Sequence, residues 1–194
     1  MLGIDYLVLN STIGVNIMRK IMTVFGTRPE AIKMAPLVKA LEKDSMLEPI
    51  IVVTAQHREM LDSVLKTFNI KPHYDLNIMK KGQTLSEITA KSIIQLEQIM
   101  KKECPDMVLV HGDTTTTFSG ALAAFYNHTS VGHVEAGLRS GNKYAPFPEE
   151  INRQMVSNIA DLHFAPTIGA RHNLIQENKD RRSIVITGNT AIDT

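Results

Sequence analysis

Four short segments carry residues whose types and placement could do chemistry together. The first, Gly26-Thr27-Arg28-Pro29-Glu30, follows an apolar β-branched run and opens an amphipathic stretch. Thr27 and Glu30 have capping-box spacing, and Pro29 suits a first helical turn. Capping gives no reason for Arg28, because acids rather than cations favour helix N-termini. Arginine beside oriented, free N–H groups is instead the chemistry of a diphosphate site. Lys33, farther along the same helix, either reaches the same anion or is a solvated surface lysine.

The second segment is His111-Gly112-Asp113-Thr114-Thr115-Thr116-Thr117. Asp113 either caps the helix that starts near Thr115 or offers a carboxylate to a ligand. The third ends a strand at His133-Val134-Glu135-Ala136-Gly137-Leu138-Arg139. Glu135 interrupts that apolar strand at a place no cap explains, and burying it unpaired is costly. A buried ion pair with Arg139 is the competing structural explanation. The fourth, Pro146-Phe147-Pro148-Glu149-Glu150, taken alone is ordinary helix-start chemistry. Convergence is the stronger argument: Asp113, Glu135 and Glu149 all follow strands, and so does Arg28. Carboxylates facing a cationic phosphate site suit acid–base chemistry beside a phosphorylated leaving group.

Several other functions are disfavoured. The seven histidines show no H-x-x-x-H or H-x-x-E-H run, so no compact metal site is expected, although His111-Gly112-Asp113 superficially resembles metallophosphoesterase motifs. The absence of G-x-G-x-x-G disfavours a nicotinamide cofactor. Lys and Arg total 21 against 20 Asp and Glu, so a net charge of +1 supplies no field for nucleic acid or anionic lipid. The single cysteine, Cys104, has no partner in the chain and fits a reducing compartment, with the cytosol expected. Residues 1–18 are mildly apolar but broken by Asp5, Asn10, Ser11, Thr12 and Gly14, so neither a signal peptide nor a span is expected there. They read as a dispensable extension.

The elements that must position these segments alternate. Strands are expected at Ile21–Phe25, Pro49–Thr54, Met107–His111, Val131–Val134, Leu162–Ala165 and Ile184–Thr187, with a shorter one near Tyr74–Ile78. Helical spacing of apolar residues covers Ala31–Lys43, Arg58–Phe68, Leu85–Lys102, Thr115–Tyr126, Glu150–Ile159 and Gly169–Gln176. Nearly continuous apolar strands suit a parallel sheet covered on both faces, a Rossmann-like doubly wound α/β layer. In such sheets ligands bind beyond the strands' carboxyl ends, where all four segments fall.

Val24 to Lys33, His111 to Thr116, Val134 to Arg139 and Pro148 to Arg153, in that order, resemble the signature segments of non-hydrolysing UDP-N-acetylglucosamine 2-epimerases. The resemblance runs from about Arg19 to Thr194. It implies the first half of a two-domain, glycosyltransferase-B-like architecture: residues 19–188 form the N-terminal domain, 189–194 begin the connection, and a second domain follows. It further implies interconversion of UDP-N-acetylglucosamine and UDP-N-acetylmannosamine by elimination and re-addition of UDP, with no cofactor, in a homodimer when full length. Asp113, Glu135 and Glu149 match the family's catalytic carboxylates, without an assignment of acid and base, and Arg28 and Lys33 become substrate-binding residues. A family histidine from the second domain is absent, so the chain alone is expected to be inactive. Gln56 and His57, with Glu149, match an allosteric substrate site of some bacterial members, or form a polar strand-to-helix turn. Glu59 and Gly82 depart from the Gln and Arg of regulated members. The alternatives are a glycosyltransferase of similar architecture, which needs at most one base, and a non-catalytic fragment.

Overall fold

The computed structural model describes residues 18–55, 58–80 and 82–193. Strands and helices alternate: β1 (Arg19–Phe25), α1 (Arg28–Lys43), β2 (Leu47–Val53), α2 (Arg58–Thr67), β3 (Tyr74–Asp75) and α3 (Leu85–Glu103). They continue as β4 (Met107–His111), α4 (Thr115–Tyr126), β5 (Ser130–Val134), α5 (Glu149–Ile159), β6 (Leu162–Ala165), α6 (Ile168–Gln176) and β7 (Ile184–Ile186). A 3-10 turn at Thr190–Asp193 closes the described chain. The expected elements are all present. Of the seventeen leading residues read as part of an extension, and of Gln56 and His57, nothing is described.

All seven strands are parallel, in the order β3-β2-β1-β4-β5-β6-β7. The carboxyl ends of β1, β2, β4 and β5 are buried, with side chains alternating between two covered faces. Phe25, Ile51 and Val53 pack with Met34, Val38 and Leu61 from α1 and α2. Met22, Val24, Ile50 and Val52 pack on the other face with Leu96 of α3 and Ala121 and Ala124 of α4. Burying two faces explains why the strands read as continuous apolar runs. The strand near Tyr74 is shorter than expected. Asn77 takes a left-handed φ of 42°, which bends the chain out of the ladder, although Ile78 still donates to the Thr54 carbonyl at 3.2 Å.

The order reverses between β1 and β4, which are paired neighbours. Chains leaving these two strands diverge to opposite faces, and a crevice opens where they part. The segments after β1 and β4 are Gly26–Glu30 and Gly112–Thr117, so topology places them side by side.

Candidate active site

Two βα turns build one wall of the crevice. Thr27 caps α1 and Glu30 returns a carboxylate oxygen to the Thr27 N–H at 2.7 Å and the Gly26 N–H at 2.8 Å, as the capping-box spacing implied. The other Glu30 oxygen accepts from the Thr114 hydroxyl at 2.7 Å, tying the first turn to the second. Burial pushes the Glu30 carboxyl above its ordinary value, against those hydrogen bonds. Gly26 is needed for the close approach, since a Cβ there would lie 1.9 Å from Thr54 Oγ1. Asp113 does not cap α4: Thr114 does, accepting from the Thr117 N–H at 3.2 Å. The Asp113 carboxylate instead accepts from Arg153 of α5.

At the end of β5 the backbone of Glu135 turns left-handed, with φ 63°. For a residue with a Cβ that conformation costs about 1–2 kcal/mol. Such strain marks a side chain whose direction matters. Lys33 donates to the Glu135 carboxylate, and His111 Nε2 lies 3.6 Å from its other oxygen. Arg139 is not its partner. Gly137, at φ 87°, leads the chain away toward α6, and Arg139 instead donates twice to Glu177 at 2.7 Å and once to the Ser157 hydroxyl at 2.9 Å. Burial first, then the Lys33 charge, holds the His111 imidazole down at about 3, so it is neutral near pH 7.

These groups enclose a cleft of about 690 Å³ lined by Arg28, Lys33, His111, Asp113, Glu135 and Arg153, among others. Arg28 is exposed, and among the described residues no hydrogen bond or ion pair holds it. The structure thus brings four expected residues together: Arg28, Lys33, Asp113 and Glu135. Lys33 faces a carboxylate and is not a free anion ligand. Glu149 opens α5 half-buried and does not line this cleft, while its neighbour Glu150 is fully buried. Burial would raise the Glu150 carboxyl, but the Ser140 N–H, Arg153, the Gly141 N–H and Gln154 outweigh it and hold it below the ordinary value.

His111 and Arg153 carry no assigned role in the sequence reading. His111 ends an apolar strand at the ligand-facing side, the same signal that singled out Glu135. Arg153 has no comparable signal, because an arginine three residues after a glutamate on a helix reads as a surface pair. Among the described residues no three His, Cys, Asp or Glu side chains gather as metal ligands would, and no helix is long and apolar enough to cross a membrane.

Fold and cleft define a Rossmann-like α/β protein whose charged groups converge at the topological switch point. Residues 39–194 match the family model described as UDP-N-acetylglucosamine 2-epimerase. The chain belongs to that family. It is 66% identical over 174 residues to the UDP-N-acetylglucosamine 2-epimerase of Bacillus subtilis (strain 168), covering 90% of this chain and 46% of the relative. The solved structure of S. aureus MnaA with UDP is 73% identical, with a TM-score of 0.88, over 91% of this chain and 46% of that one. The Neisseria meningitidis UDP-GlcNAc 2-epimerase, solved bound to UDP-GlcNAc, is 54% identical with a TM-score of 0.88, over 90% and 47% of the two chains. The chain therefore spans about half the length of the relatives it matches.

Proposed function

We propose that this chain supplies the N-terminal half of an enzyme that interconverts UDP-N-acetylglucosamine and UDP-N-acetylmannosamine. The observation that carries the reading is the switch-point cleft, where exposed Arg28 at a helix N-terminus faces Asp113 and Glu135. The sugar's C2 proton is not beside a carbonyl and is too weakly acidic for direct removal. Breaking the C1–O bond to the diphosphate as a carboxylate takes that proton avoids the difficulty and leaves a C1–C2 double bond. Return of a proton to the opposite face of C2, with the diphosphate oxygen re-attacking C1, completes inversion. Arg28 and the N–H groups of α1 are suited to receive charge on the departing diphosphate. Asp113 and Glu135, each beside a cation, are suited to move the proton. Glu149 remains a proposed third carboxylate, whose approach to the sugar depends on a rearrangement of α5 or of the loop before it. The second half is proposed to supply the remaining nucleotide contacts, so the chain alone should not turn over, and the full-length protein is proposed to be a homodimer.

The test joins residues 18–194 to the second half of the Bacillus subtilis relative and incubates the chimera with UDP-N-acetylglucosamine in deuterated water. The expected result is both epimers carrying deuterium at C2. Recovery of undeuterated sugar nucleotide, from a chimera that is folded and binds UDP, would overturn the proposal.

A further inference from the structure

Asp113 is held by two successive residues of α5. Asn152 donates to the Asp113 carbonyl at 2.8 Å, and Arg153 donates through Nη2 to its carboxylate. The other arm, Nη1, donates to Glu150 at 3.1 Å. This is not a surface pair: the side chain of Glu150 has no exposure and that of Arg153 only 17%. Glu150 is itself committed elsewhere, accepting from the N–H groups of Ser140 at 3.0 Å and Gly141 at 3.3 Å. The guanidinium therefore spans two carboxylates that belong to different parts of the chain. One reaches into the cleft after β4, and the other pins the start of the loop between β5 and α5. A planar fork with several donors holds both directions in one fixed geometry, and an ammonium on a flexible stem holds them less rigidly.

Resting on the function proposed above, we propose that Arg153 is a positioning residue for the reaction, fixing the Asp113 carboxylate against a frame made of Glu150 and the Ser140–Gly141 backbone. Its effect is exerted through the direction in which Asp113 points, and misplacing a reacting group by about 1 Å costs on the order of 100-fold in rate. The loop after β5 and the Asp113 carboxylate consequently move as one unit.

Arg153→Lys in the chimera tests this, with kcat and KM measured per folded protein. The expected result is a fall in kcat of about 10- to 100-fold with KM changed less than about three-fold. Adding Arg153→Lys to Asp113→Asn should then cost less than about two-fold more, since the group being positioned is already disabled. A full additional loss in that background, or a normal kcat in the single variant, would overturn the proposal. Amide hydrogen exchange on the 194-residue chain supplies a measurement that needs no activity. Arg153→Lys should speed exchange at Ser140 and Gly141 at least about five-fold while the amides of β4 keep their protection. Unchanged exchange there would overturn the frame even if the parent chimera proved inactive, an outcome that would count against the proposed function alone.

Discussion

Lowering the pH from 7 to 5 should remove stability from this domain through histidines that the fold buries uncharged. His111, His133 and His163 are 3%, 0% and 1% exposed. Burial, the first cause in each case, holds them down at about 3, about 3 and about 4 against an ordinary 6.5. In the unfolded chain each takes up a proton as the pH falls through that ordinary value. In the folded chain none does until the pH nears the lowered one. The unfolded state thus binds more protons across the window, and stability falls as pH falls. At about 1.4 kcal/mol per pH unit, and allowing for partial protonation near 6.5, each histidine loses about 2 kcal/mol between pH 7 and pH 5. Glu30 acts in the opposite sense: its raised pKa stabilises below the unfolded value, and that contribution is lost as pH rises. A difference of differences isolates the histidine contribution. His133→Gln keeps an N–H for the Gly112 carbonyl, which the imidazole Nε2 now serves at 2.7 Å, and removes the titration. Urea unfolding of parent and variant at both pH values should show the variant losing about 2 kcal/mol less on acidification. Equal losses would refute the claim that His133 is carried neutral in the fold. His163→Gln repeats the test on the adjacent strand should His133→Gln prove too unstable at both pH values.

Three further outcomes are expected. In the chimera, Glu135→Gln should lower turnover about 100- to 10,000-fold with UDP binding retained, read by deuterium incorporation and calorimetry, and near-parental turnover would remove it from the chemistry. Arg28→Ala should weaken UDP binding at least ten-fold by titration calorimetry while stability changes by less than about 0.5 kcal/mol, because the side chain is exposed. A large drop in Tm with unchanged affinity would make Arg28 structural. Gly26→Ala should destabilise the chain by about 1–3 kcal/mol in urea, since its Cβ meets Thr54 Oγ1 at 1.9 Å; a neutral result would mean that the two turns shift apart at little cost.

Periodicity alone made the alternation of elements legible. Apolar strands of β-branched residues and three-and-four spacing on the helices record which faces are buried, and burial acts on every residue of an element. The capping box at Thr27 and Glu30 was legible for a related reason, because its partners lie within one helical turn. Arg28, Asp113 and Glu135 could be singled out as polar residues at strand ends without a complete local excuse. What the local pattern could not decide was partnership across the chain. Arg139 stood nearest to Glu135 in sequence, yet Lys33, 102 residues away, is its partner, because β5 runs parallel to a strand whose helix returns over the same crevice. For Asp113 the choice between a cap and a carboxylate offered to a ligand stayed open, and α5 settles it against the cap by delivering Arg153 from 40 residues downstream while Thr114 caps α4. Glu149 and Glu150 are indistinguishable as adjacent acids, and only the packing of α5 buries the second and leaves the first outside the cleft. Secondary structure follows from neighbours a turn or a pleat apart, so the sequence by itself determines it. Ion pairs and site walls depend on which elements lie side by side, and the order of strands in the sheet sets that.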